Sequence, residues 1–166
     1  MSRTSSLIFT AVGVLTCVLP MCQRWTPWLL YNPTASAPRG WYWVMRTQAL
    51  QVGDLAVVRL PPNIATLASE RRYLPLGVPL LKRVAAVGGQ QVCVADHRLY
   101  VDTTPVAEVL RLDAAGRALP VWSGCRLLDG GEMLLIGDHA ASFDSRYFGP
   151  VRTSSVEGRA VPLHIR

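Results

Sequence analysis

A lysine works as a general base only where its surroundings let it lose a proton, and this 166-residue chain holds one lysine, Lys82, among 16 arginines. Arginine keeps its proton in a protein, whereas a lysine pressed among apolar neighbours has its pKa lowered. Lys82 lies in Leu80-Leu81-Lys82-Arg83-Val84-Ala85-Ala86-Val87, and the two-residue period of a strand would set Leu80, Lys82, Val84 and Ala86 on one face. Such a base suits a hydroxyl nucleophile. Ser36 stands in Asn32-Pro33-Thr34-Ala35-Ser36-Ala37-Pro38-Arg39-Gly40, an extended loop whose prolines restrict the backbone on both sides of it and whose glycine permits the turn that closes it. A neutral lysine can take the serine proton if burial lowers its pKa from about 10.4 to near the working pH, a difference of roughly 3 to 4 kcal/mol. The tetrahedral oxyanion then needs donors, and the Ser36 amide and the Thr34 hydroxyl, two residues earlier on the same side of an extended segment, are the candidates. Taken singly, each residue also has a plain reading: Lys82 as a snorkelling surface lysine, Ser36 as a loop serine.

Other chemistries fit less well. Of the three histidines, His97, His139 and His164, only His139, next to Asp138, is placed to join a Ser-His-Asp arrangement, and no Gly-x-Ser-x-Gly elbow accompanies it. A metal site from Asp138, His139 and Asp144 lacks a recognised ligand spacing and reads as a polar turn, so no metal and no cofactor are expected.

Around these residues the chain divides into an apolar amino terminus and one domain with enough hydrophobic residues, 50%, to bury a core. The run Leu7 to Met21 follows Arg3 and has no acidic residue near it. Its 15 residues span about 23 Å as a helix, short of a bilayer core of roughly 30 Å. Trp25, Trp28 and Tyr31 extend it with interfacial aromatics, and residues 1–31 are expected to be an uncleaved anchor and interfacial segment with residues 32–166 translocated. The net charge of +6 comes from scattered arginines with no cluster beyond Arg71-Arg72, which argues for a mildly basic surface and against a nucleic-acid partner. Cys93 and Cys125 fall in the outer domain, where a disulfide between them is plausible in an oxidising compartment.

Strands are expected over Leu55–Leu60, Leu80–Val87, Gln91–Ala95, Arg98–Val101, Glu132–Asp138 and Val156–Pro162, with one short helix from Ile64 to Arg72. Residues 103–130 have no clear period and read as an elaborated insertion. Many short strands with few helices predict a mainly β, antiparallel domain behind one transmembrane helix.

Four stretches in order resemble the boxes of the bacterial type I signal peptidases, membrane-anchored Ser-Lys proteases, and most of all their conjugative-transfer TraF branch. Asn32-x-Thr34-x-Ser36-x-Pro38-x-Gly40-x-Tyr42 resembles the nucleophile box, Gly53-Asp54 with Val57 the next, and Leu81-Lys82-Arg83-Val84 the general-base box. Gly137-Asp138 through Ser142-x-Asp144-Ser145-Arg146-Tyr147-Phe148-Gly149 resembles the last. The resemblance implies a signal-peptidase-like β domain in which Ser36 is the nucleophile and Lys82 the base. Thr34 and the Ser36 amide would hold the oxyanion, and Ser142, Asp144 and Arg146 would support the site. Three features depart from the pattern. Gly88-Gly89-Gln90 replaces the Gly-Asp expected after the base box, His139 stands where many signal peptidases have Asn, and the loop before Ser142 is short.

The resemblance further implies a protein substrate, a pilin-type precursor that is cleaved and in some relatives cyclised, processed by a chain seated in the inner-membrane lipid with its catalytic domain in the periplasm. A general leader peptidase, or a non-enzymatic binding component of a conjugation channel, are the alternatives.

Overall fold

The computed structural model describes residues 29–47 and 49–163. Residues 1–28 of the anchor and interfacial segment expected over 1–31 lie outside them, and no helix among the described residues is long and apolar enough to cross a membrane. Leu29–Tyr31, grouped with the anchor on sequence, instead open the first strand, Leu29–Asn32 (β1), which pairs antiparallel with Gly40–Met45 (β2).

Two antiparallel sheets follow from there, as expected for a mainly β chain. Leu55–Val58 (β3), Leu80–Val87 (β4), Glu132–Ile136 (β9), Val151–Arg152 (β10) and Val156–Pro162 (β11) join β1 and β2 in a seven-stranded sheet of order β1-β2-β11-β3-β4-β9-β10. Gln91–Ala95 (β5), Arg98–Val101 (β6), Thr104–Glu108 (β7) and Gly124–Leu127 (β8) form a second sheet of order β7-β6-β5-β8. The helix Pro62–Glu70 begins with proline at its first position, where the missing N–H is no loss. It starts two residues earlier than expected and leaves Arg71 as its carboxy-terminal cap.

The chain changes sheet at Gly88-Gly89-Gln90. A Cβ on Gly88 would lie 2.6 Å from both the Asp129 carbonyl oxygen and the Gly130 Cα, so only glycine lets these backbones meet. Gln90 then fastens the turn, accepting from the Val87 amide at 3.0 Å and donating to Asp102 at 2.8 Å. This explains how the chain departs from Gly-Asp here without losing the turn.

Residues 103–130 turn out to supply two strands of the second sheet, β7 and β8. Every residue of β8 is exposed, so the apolar alternation that marks a half-buried strand is absent from its sequence. Its position is set instead by pairing with β5, in which Cys93 faces Cys125, and the two are joined by a disulfide. The largest core cluster, which includes Leu99, Leu134, Phe143 and Tyr147, draws its members from both sheets and from the helix, and so ties the second sheet to the strands that carry the site.

Candidate active site

Lys82 is on β4, opposite Ala56 of β3, and is 3% exposed. Its strand alternates as expected, with Lys82, Val84 and Ala86 buried while Arg83, Ala85 and Val87 are partly open. A snorkelling surface lysine is therefore excluded. Burial is the main cause lowering its pKa to about 8; the Asp144 charge opposes the shift, the Arg146 charge adds to it, and Asp138 opposes it weakly. Its Nζ donates to Ser142 Oγ at 3.3 Å.

The nucleophile loop is a turn rather than the extended segment expected, and the reason is Asn32. That side chain, on a residue 6% exposed, donates from Nδ2 to the carbonyls of Thr34, Ala37 and Pro38, and accepts at Oδ1 from the Thr34 amide and hydroxyl. Five bonds from one buried amide curl residues 32–38 around it. Thr34 and Ser36 still share a side, with their hydroxyl oxygens 2.9 Å apart. Because the single Thr34 proton goes to Asn32 Oδ1 at 2.8 Å, the Ser36 hydroxyl is the donor in that pair.

Ser36 and Lys82, 46 residues apart in sequence, line one cleft of about 260 Å³ together with Thr34 and Ser142. The Ser36 carbonyl also accepts from the Asp138 amide at 2.9 Å, which docks the nucleophile loop on the segment after β9. Behind the cleft, Asp144 is fully buried and Arg146 is 2% exposed. Asp144 caps the short helix Ser145–Phe148 by accepting from the Arg146 amide, takes the Gly137 amide at 2.8 Å, and pairs with the Arg146 guanidinium at 2.8 and 2.6 Å. Arg146 also reaches the carbonyls of Ala140 and His139, so the two residues hold the loop that presents Ser142 to Lys82.

The residues singled out for a histidine or metal site do not converge. The Asp138 carboxylate turns outward to a half-exposed pair with Arg83 at 3.3 Å, Asp144 turns inward to Arg146, and His139 Nδ1 accepts from the Ala141 amide. Nothing here orients His139 as the base of a Ser-His-Asp arrangement.

Gly137, the first residue of the last box, has a strict steric role. A Cβ there would stand 2.3 Å from Ser142 Oγ and 2.9 Å from Lys82 Nζ. Gly137→Ala is therefore expected to displace the Lys82 ammonium and to cut any turnover that depends on it about 100-fold or more, with about 1 to 3 kcal/mol lost from overpacking. Steady-state kinetics beside a urea melt checks both, and an alanine variant at wild-type turnover would show that Nζ has room to move.

The sequence offered no signal for part of the cleft lining. Tyr73 and Leu74 supply it from the loop that follows the helix, and Phe143 lies against the Tyr73 ring with centroids 4.8 Å apart. Asn32 did stand in the quoted nucleophile box, and Asn-Pro marks a turn, yet its bonding could not be read from that.

The family model described as "Signal peptidase, peptidase S26" matches residues 1–164. The conjugal transfer protein TraF of Agrobacterium fabrum is 37% identical over 143 residues, covering 80% of each chain. A plasmid transfer protein TraF of Escherichia coli is 36% identical over 139 residues, 76% of each chain. Signal peptidase I V of Bacillus subtilis is 33% identical over 90 residues, covering 48% of this chain and 54% of its own.

Proposed function

We infer the function from one premise: the chain belongs to the signal peptidase family, peptidase S26, and is a serine peptidase of the signal-peptidase type. Within that family we assign it a Ser-Lys dyad and, as substrate, a pilin-type precursor in a conjugative-transfer system. The similarity to TraF proteins supports the second assignment. The observation that carries the first is the buried Lys82, its pKa lowered to about 8, opening on the same cleft as Ser36.

In this mechanism the Ser36 hydroxyl turns from Thr34 toward Lys82 Nζ, gives it the proton, and Oγ attacks the scissile carbonyl carbon. Charge arriving on the carbonyl oxygen is met by the Ser36 amide and by the Thr34 hydroxyl, whose proton swings over from Asn32. The Lys82 ammonium then protonates the leaving amine as the C–N bond breaks, leaving an ester on Ser36 and a neutral lysine. Water, or the amino terminus of the bound precursor itself, attacks that ester with Lys82 again as base; water yields a linear product and the amine a cyclic one. Ser142 orients Nζ throughout, and Asp144 with Arg146 orders the loop that carries it.

A membrane setting is consistent with one face of the outer strands. Leu29 faces Trp43, Tyr31 faces Trp41 and Val161 faces Trp43, and all five side chains are exposed, while Asn32, Tyr42 and Val44 between them point inward. Tryptophan and tyrosine favour the lipid interface, and the strand that bears two of these residues follows directly on the expected anchor.

The test uses the full-length chain in membranes with a pilin-type precursor. Wild-type chain is expected to shorten the precursor, whereas Ser36→Ala and Lys82→Arg, which keeps a charge but cannot release it, leave it at full mass. Mass spectrometry separates the two outcomes of the ester, since a cyclic product is lighter than the linear one by one water. Processing by Ser36→Ala at the wild-type rate would refute the assignment.

A further inference from the structure

We propose that Tyr73 is the specificity-determining wall of the cleft, and that Asp113, a positioning residue in the 103–130 stretch, holds it in place and so sets the size of substrate side chain that reaches Ser36. The proposal rests on the peptidase reading above. It gives a task to a part of the chain that the chemistry leaves unused.

Tyr73 lies beyond the end of the helix Pro62–Glu70, in a loop with little of its own to fix a ring. Its amide and that of Leu74 both bond the Ala68 carbonyl, at 2.8 and 3.3 Å, which sets the backbone. The ring is fixed from outside the loop. The Tyr73 hydroxyl donates to Asp113 Oδ2 at 2.5 Å, and the Arg117 guanidinium carbon lies 5.5 Å from the ring centroid. Asp113 is itself held by donors on every side: the Ala115 amide at 2.9 Å, the Arg117 amide at 2.8 Å and Arg117 Nε at 2.7 Å. The Tyr73 hydroxyl foremost, with the Arg117 and Ala115 donors, keeps this carboxyl below the usual carboxylate range against the opposing effect of burial, so it is an ionised acceptor at any working pH.

The turn that carries Asp113 is locked to the same segment at two further points. Arg71 donates to the Ala118 carbonyl at 2.6 Å, and Arg117 donates back to the Arg71 carbonyl at 3.1 Å. Farther along, Trp122 Nε1 donates to the Ser145 carbonyl at 2.9 Å, so the stretch also grips the helix next to the Asp144–Arg146 pair. The tyrosine is thus pressed between a charged clamp on its hydroxyl side and Phe143 on its other flank, and it lines the cleft together with the aliphatic Leu74 and Leu80. A cleft so bounded takes an apolar side chain of limited size on the acyl side of the scissile bond. A rigid ring discriminates by volume, while an untethered one can swing aside.

The experiment measures kcat/KM of the full-length chain in detergent micelles on four internally quenched peptides that differ only in the residue before the scissile bond: Ala, Val, Leu or Phe. Wild-type chain is expected to favour Ala and Val, and Tyr73→Ala to raise the Phe/Ala ratio about tenfold. Tyr73→Phe keeps the ring and removes the tether, and is expected to raise the ratio about threefold; Asp113→Ala removes the same tether and also frees Arg117, and is expected to raise it at least as much, with the double variant going no further than Asp113→Ala because the tether is already gone. A purely structural role would lower all four rates together and leave the ratio unmoved. An unchanged Phe/Ala ratio in Tyr73→Ala, multiplying effects in the double variant, or a wild-type chain that cleaves none of the four peptides would each overturn the proposal. Ser36→Ala keeps the two readings apart: if it still cleaves, the peptidase assignment fails, and if it is dead while the ratios stay put, only the assignment of Tyr73 and Asp113 fails.

Discussion

Lys82→Met is expected to abolish peptidase turnover, by about 1,000-fold or more, and yet to make the protein more stable at pH 7. The two effects have one cause. Burial holds the Lys82 pKa at about 8, below its ordinary 10.5. The unfolded lysine therefore binds its proton more tightly than the folded one, and folding with the proton on is penalised. That penalty is complete below pH 8, fades between 8 and 10.5 and is absent above, so this group's contribution to stability rises with pH through that window. At pH 7 it amounts to at most about 3 kcal/mol. Methionine removes it, fills much the same volume, and forgoes the bond to Ser142, worth about 1 kcal/mol. A net gain of about 2 kcal/mol at pH 7, shrinking toward pH 10.5, is the expected outcome of urea titrations. The wild-type pH–rate profile has to agree: the neutral fraction of a lysine titrating near 8 grows about tenfold between pH 7 and 9, and kcat/KM should follow it. A flat profile over that range, or a methionine variant weaker than wild type at pH 7, would show that Lys82 does not titrate there.

Arg146→Met should be the most damaging single change to the fold, costing about 3 to 5 kcal/mol. Asp144 has no exposure, and without the guanidinium its charge keeps only the Gly137 and Arg146 amides, while the Ala140 carbonyl loses the Arg146 donor and the His139 carbonyl is left with the Ser142 amide. The same change reaches the chemistry through charge. Arg146 lowers the Lys82 pKa and Asp144 raises it. Removing the arginine should push the ascending limb of the pH–rate profile to higher pH, and Asp144→Asn should pull it lower. Opposite displacements, measured at a temperature where both variants are folded by circular dichroism, are the signature; displacements in the same direction would mean that loop disorder, not charge, governs Lys82.

What could be read from the residues in order was the parts that local pattern encodes. The alternation around Lys82 placed it on a strand with its apolar neighbours on one side, and the burial of β4 agrees. The four boxes, by resemblance, brought Ser36, Lys82, Ser142, Asp144 and Arg146 to one site, and the cleft with its supporting loop holds all five. The pairing of Cys93 with Cys125 was open on sequence and is closed by the register of β5 on β8.

Tertiary structure alone decided the rest, because it turns on which distant segment supplies a partner. β8 is exposed at every position, so no periodicity betrays it; it is a strand because β5 offers its edge. The break between the two sheets at Gly88 depends on the Asp129–Gly130 backbone, some forty residues away, coming within 2.6 Å of where a Cβ would be. Asn32 reads as a turn residue and becomes the centre of the nucleophile loop only when the chain curls round its amide. Tyr73 carries no motif and reaches the cleft wall through a carboxylate 40 residues on. A sequence shows period, propensity and the order of reactive side chains. It does not show contact between residues far apart, since that is fixed by how two sheets and a loop close on one core.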